Sequence, residues 1–245
     1  MSYAFCIVMA LLPSWVLFRY FVSNDKFPEP PETLRMVFKH GVYVAFWVLC
    51  CMTPLHYLLL DEWIANSDIV FASALAAFGS AAIPEEFFKH QVLRRHVAPH
   101  KDFDEPMDGI VYGAVASLGF ATIENLMYCA TGDLSTAILR AFTAVPAHAA
   151  FGAIMGYTFA RRHFAGKSNG LFGPAMWLSV LLHGVYNWML FIGDGLTTKI
   201  GDAEPSEDQA AMLLLCILVF LSVGVFMFWK VRRNVRVMRL EQEAM

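Results

Sequence analysis

The stretch Pro84-Glu85-Glu86-Phe87-Phe88-Lys89-His90 closes an otherwise apolar run that begins at Asp68. A run of that length matches the roughly 20 residues an α-helix needs to cross a ~30 Å hydrocarbon core. Two adjacent carboxylates at its end need an explanation, because an acidic residue in mid-helix costs roughly 2.5–3.5 kcal/mol on insertion. Such a pair is expected to face a polar interior shared with other helices. The stretch therefore predicts a membrane helix bundle with a functional centre inside it.

Working outward, similar apolar runs recur at about 3–22, 38–60, 68–92, 108–130, 135–160, 171–192 and 209–229, each near the ~20 residues of a spanning helix. The fold class is all-α, a polytopic membrane bundle of about seven transmembrane helices. Composition agrees: 58% of the 245 residues are apolar, 16% are charged, and the mean hydropathy is +0.51. Of the 18 lysines and arginines, all but Arg140 and Lys199 fall at alternate connections. Basic loops favour the cytoplasmic side, so the N-terminus is expected outside and the C-terminus in the cytoplasm. The chain reads as one integral membrane domain over 1–245, with a core at about 68–192, a final span at about 209–229 and a basic tail over 230–245.

The net charge of −3 and the scattered basic clusters give no footprint for nucleic acid. Cys6, Cys50, Cys51, Cys129 and Cys216 lie in apolar runs without zinc-ribbon or disulfide spacing, and read as small buried hydrophobes. The first run has no basic leader, which suits an uncleaved span. Its following loop, Asn24 to Glu32, carries Pro28, Pro30 and Pro31 and cannot be an ordinary helix.

Four spans contribute polar groups. Pro84 precedes Glu85 and is expected to loosen the preceding turn. Glu85 and Lys89 lie four apart on one face, as do Glu86 and His90, so two acid–base pairs are expected within two turns. Glu124 and Asn125 follow a segment with Gly113, Ala114, Ala116, Ser117 and Gly119, small residues that permit close helix packing. Pro146 precedes His148, and His183 stands four before Asn187. Each of these residues alone is readily structural, but together they are hard to attribute to separate accidents.

The set is equipped to activate water. Two imidazoles and a carboxylate are the ligand types of an open catalytic zinc site, so Glu124, His148 and His183 are expected to hold a metal, with Glu85 or Glu86 as general base. Without a metal, a desolvated glutamate beside a histidine can activate water, with His183 and Asn187 bonding the oxyanion. The chain lacks HExxH, so its spacing does not choose between the routes. Counting ~1.5 Å per residue, Glu85 lies toward the cytoplasmic end of its span and Glu124 toward the outer side, so tilt or a longer helix must bring them together.

These motifs, Glu85-Glu86-x-x-Lys89, Phe120-x-x-x-Glu124-Asn125, His148-x-x-x-Gly152 and His183-x-x-x-Asn187, occur in order on successive spans, and the chain resembles the PrsW family of intramembrane proteases, relatives of the CAAX prenyl protease and bacteriocin-processing group. The resemblance covers the first six spans and includes the proline-rich loop. It implies cleavage of a single-span membrane protein of the anti-sigma-factor type in a bacterial cell membrane, with Glu85, Glu86, His148 and His183 essential. At Glu124 the CAAX relatives have histidine instead. A proton- or ion-coupled transporter is the alternative use of such buried groups. Assembly into a homo-oligomer is left open by the sequence.

Overall fold

Helix ends in this chain are set by residues whose backbone chemistry demands them. Asp68 accepts the N–H groups of Val70 at 2.9 Å and Phe71 at 3.1 Å, capping a helix start. Pro31, Pro106 and Pro174 open helices, where a missing N–H costs nothing. Gly166, at φ 68°, follows the end of another helix and adopts the left-handed conformation a Cβ disfavours.

The computed structural model describes residues 3–130 and 134–244, and all regular elements among them are helical. In chain order they are α1 (Tyr3–Ser23), α2 (Pro31–Leu55), α3 (Ile69–Val97), α4 (Pro106–Ala130), α5 (Leu134–Phe142), α6 (Ala144–Phe164), α7 (Pro174–Ile200) and α8 (Glu207–Ala244). A π-helical turn, His56–Leu60, and a short helix, Asp61–Ala65, link α2 to α3. Six segments are long and apolar enough to span a bilayer, and the shorter apolar Ile7–Ser23 lies within α1.

Two irregularities trace to proline. In α3 the stretch Leu75–Ala82 is π-helical and gives way to an α-helical segment, Ile83–Val92, with Pro84 in its first turn. The widened turn is the loosening expected before a residue with no N–H to donate. The segment read as one span at 135–160 is broken at Thr143 into α5 and α6. Pro146 cannot donate to the carbonyl of Phe142, four residues back, and its ring crowds that group, so α5 ends there.

Helix α4 is the axis of the bundle. Every residue from 107 to 122 is buried, and the helix packs against α6, α2 and α1. Close approach depends on missing side chains: a Cβ at Gly113 would collide with the Gly152 carbonyl, and one at Gly156 with the Gly109 carbonyl. Gly41 and Gly119 play the same part between α2 and α4. The outer surface carries exposed Trp15, Trp47, Leu58, Val225 and Phe228, which suits hydrocarbon rather than water. Cys216 is buried as expected, whereas Cys50 and Cys51 lie on the exposed side of α2. The basic C-terminal segment is not a loose tail: α8 continues as helix to Ala244, and Arg161 forms an ion pair with Glu241 at 2.7 Å.

Candidate active site

Helices α3, α4, α5, α6 and α7 each send polar groups into one place, and Lys89 stands at its centre. Its ammonium lies 2.8 Å from Glu86 Oε1, 3.4 Å from Glu85 Oε2 and 3.1 Å from His148 Nδ1, above the Phe120 ring at 4.1 Å. The side chain is only 1% exposed, so burial of its charge is compensated by two carboxylates, an imidazole nitrogen and an aromatic face. The expected pair of Glu86 with His90 does not form. Glu86 instead engages Lys89 and His183, while His90 turns toward Phe159, because the single lysine draws both glutamates to its own side of the helix.

Hydrogen bonding sets the protonated nitrogen of each histidine. Lys89 donates to His148 Nδ1, leaving Nε2–H to donate to Glu124 Oε2 at 2.9 Å. Asn187 donates from its amide to His183 Nε2 at 3.1 Å, and Nδ1–H donates to Glu86 Oε1 at 3.0 Å. The four-residue spacing thus places His183 and Asn187 on one face of α7, in contact with each other. Phe151 stacks on His183 with centroids 4.8 Å apart, and the two imidazoles stand perpendicular at 5.0 Å.

Glu124 is brought to the site through His148, which spans the height difference between Glu124 and the α3 glutamates. Its Oε2 also takes the Arg140 guanidinium at 2.6 Å. Lys89 pairs with Glu85 as expected but was not expected to join Glu86 and His148, and Arg140 was not among the expected site residues. Arg140 did leave a trace in the sequence: it is the single basic residue between Lys101 and Arg161, in an apolar context. Only folding reveals that it faces Glu124.

The two adjacent glutamates differ in access. A cavity of about 190 Å³ is lined by Glu85, Glu124, His148, His183, Tyr186 and Asn187. Glu86 is not in its wall and is wholly buried. A second cavity of about 1270 Å³, bounded by residues including Leu17, Phe142, Phe220 and Met227, shares Ala147 and Tyr186 with the first.

The donors also suit a metal ion. Glu85, Glu86, His148 and His183 each offer one ligand atom, all within 4.8 Å of one another. Glu86 Oε2 is buried with no hydrogen-bond donor, an orphan acceptor in the middle of the set. Mixed carboxylate and imidazole ligands are those of a catalytic metal centre. Glu124 stands outside this group of four, on the far side of His148.

Residues 29–225 match the model of the PrsW family intramembrane metalloproteases. Three bacterial relatives, each named Protease PrsW, are similar over most of their length. The protein of Geobacillus kaustophilus is 40% identical over 183 residues, covering 73% of this chain and 76% of the relative. That of Bacillus subtilis is 34% identical over 194 residues, covering 76% and 83%. That of Clostridioides difficile is 30% identical over 233 residues, covering 91% and 87%. No solved structure matches the chain.

Proposed function

The chain belongs to the PrsW family of intramembrane metalloproteases, and from that premise we propose that it cuts a single-span membrane protein with water activated by Glu85. It is an integral bacterial membrane peptidase, which displaces the transporter reading. The observation that supports Glu85 as the base is its place in the cavity wall, whereas Glu86 lies outside that wall and is bonded to Lys89 and to the cavity-lining His183.

On this reading, a water molecule in the cavity gives a proton to the Glu85 carboxylate as its oxygen bonds to the scissile carbonyl carbon. Glu85 then delivers that proton to the leaving amide nitrogen as the carbon–nitrogen bond breaks, releasing an amine and a carboxylic acid that keeps the second proton of the water. Asn187 and Arg140 also line the cavity, and each has N–H groups to offer the developing oxyanion. Glu86 holds Lys89 and His183 in place, and Glu124 fixes the ring of His148. The large apolar cavity, separated from the small one by the shared wall residues Ala147 and Tyr186, is the proposed entry for the substrate's membrane segment.

Zinc is the metal we propose, held by His148 and His183 with a carboxylate from Glu86. When bound, zinc would polarise the carbonyl and acidify water. Glu124, expected as a ligand from sequence, serves here to orient His148. One observation favours a metal-free route: the Lys89 ammonium lies within 3.4 Å of Glu85, Glu86 and His148 and already brings positive charge into the donor set.

The test combines co-expression with single-span membrane proteins, an anti-sigma factor first, and elemental analysis of the purified enzyme. Wild type is expected to release a fragment that Glu85→Gln does not, with near one zinc per chain that His183→Ala loses. Fully active protein without metal would assign the reaction to the glutamates, Lys89 and the histidines alone. Cleavage surviving Glu85→Gln would remove it as the base.

A further inference from the structure

At the other end of α4, a second group of acids converges. Asp25 and Glu29 come from the loop after α1 and Asp108 from the first turn of α4; one carboxylate oxygen of each lies within 4.8 Å of the others. Asp108 stands 16 residues before Glu124, about 24 Å along a helix, so this group is separate from the catalytic centre. All three are buried, Asp108 completely. Among the described residues none of the three forms an ion pair with a basic side chain.

The hydrogen bonds satisfy only part of the cluster. Asp108 Oδ2 accepts the N–H groups of Asp104 at 2.9 Å and Glu105 at 2.8 Å; no N–H group reaches its buried Oδ1, and its carboxyl lies within hydrogen-bonding reach of Glu29. Asp25 Oδ1 accepts from Phe27 N and from the Gln242 amide, while Oδ2 has no donor. Glu29 accepts the Tyr112 hydroxyl. Glu105 is joined to Asp25 through Gln242 and leaves its own Oε2 unpartnered. Burial pushes Glu29 up to about 7 and raises Asp25 and Glu105, the cost of placing acceptors together with no cation.

We propose that Asp25, Glu29 and Asp108 form a second site, for a hard divalent cation, Mg²⁺ or Ca²⁺. Its donors are oxygen only, as those ions require, with water completing the shell. Oxygens on one Ca²⁺, at ~2.3–2.6 Å from it, lie at most about 5 Å apart, a limit the cluster meets, whereas Mg²⁺ at ~2.0–2.1 Å requires them within about 4 Å. A cation would satisfy Asp25 Oδ2 and Asp108 Oδ1, which no N–H group reaches, in place of a proton held between Glu29 and Asp108. The ion would tie the proline-rich loop to the start of α4. Through Gln242, which bonds Asp25 and accepts the Lys26 N–H at 3.2 Å, it would reach the end of α8.

Thermal unfolding of the full-length, detergent-purified protein tests this. After EDTA treatment and dialysis, the midpoint is measured in NaCl, MgCl₂ and CaCl₂ at matched ionic strength. A saturable rise of roughly 5–10 °C at 100 times the dissociation constant is expected with a divalent ion, and the ion giving the larger rise is the preferred one. Asp25→Asn and Asp108→Asn, which keep an oxygen for the backbone donors, should lose the rise, and His183→Ala should keep it. A wild-type midpoint indifferent to both ions, a rise retained in both Asn variants, or one lost in His183→Ala overturns the proposal. Equilibrium dialysis of wild type against each ion is independent of variant folding: one ion per chain is expected, and none for either ion overturns the site.

Discussion

Glu85 and Glu86 are chemically identical neighbours in different environments, one in the cavity wall and one bonded to Lys89 and His183. Glu85→Gln is expected to lower cleavage by about 10²–10⁴-fold, the usual worth of a general base, with little change in the unfolding midpoint. Glu86→Gln should also destabilise the protein, by about 3 kcal/mol, because it removes one partner from each of two buried groups, Lys89 and His183. Measuring both activity and midpoint in the two variants separates these roles. Arg140→Ala takes the guanidinium from Glu124 and so loosens the support of His148; a 10–100-fold loss of activity or metal affinity is expected, with Arg140→Lys retaining more than Arg140→Ala. The spacing of His183 and Asn187 was legible because both lie on one helix, where four residues make a turn. Lys89 as the shared partner of both glutamates was not, because its choice depends on His148 and Phe120 from other helices.

Among the elements, α4 and α6 are in contact through glycines, and that contact brings Glu124 within reach of His148. Gly113→Leu or Gly152→Val is expected to abolish the folded protein, since the added carbons fall on backbone that cannot yield. Gly224→Ala on α8, with nothing within 4 Å of the new Cβ, should be neutral or stabilising by up to about 1 kcal/mol. Comparing yields and midpoints in detergent checks the contrast. The small residues of α4 announced close packing, but not which neighbour would use it. Proline predicted a loosened turn in α3, and no break was expected in the fifth span. In α3 it accompanies a widened turn, whereas before His148 it divides a predicted single helix in two, where the Pro146 ring meets the carbonyl of Phe142.

For the molecule as a whole, orientation is carried by charge. Fluorescent-protein fusions at the C-terminus should be bright and alkaline phosphatase fusions there inactive, with the reverse at the connection between α7 and α8; the opposite pattern would invert the topology. The sequence by itself determined that the chain is a helical membrane protein with about seven apolar segments, since hydrocarbon admits only backbones that satisfy their own hydrogen bonds. It also marked Glu85, Glu86, Glu124, His148 and His183 as ionisable groups inside apolar segments, because such residues are costly enough there to stand out. Only the tertiary structure decided that Glu85 faces the cavity while Glu86 does not, that Arg140 holds Glu124, and that Asp25, Glu29 and Asp108 meet. These outcomes depend on the rotation and relative height of packed helices. Hydropathy reports how deep a residue lies, and says little about which neighbour it will meet.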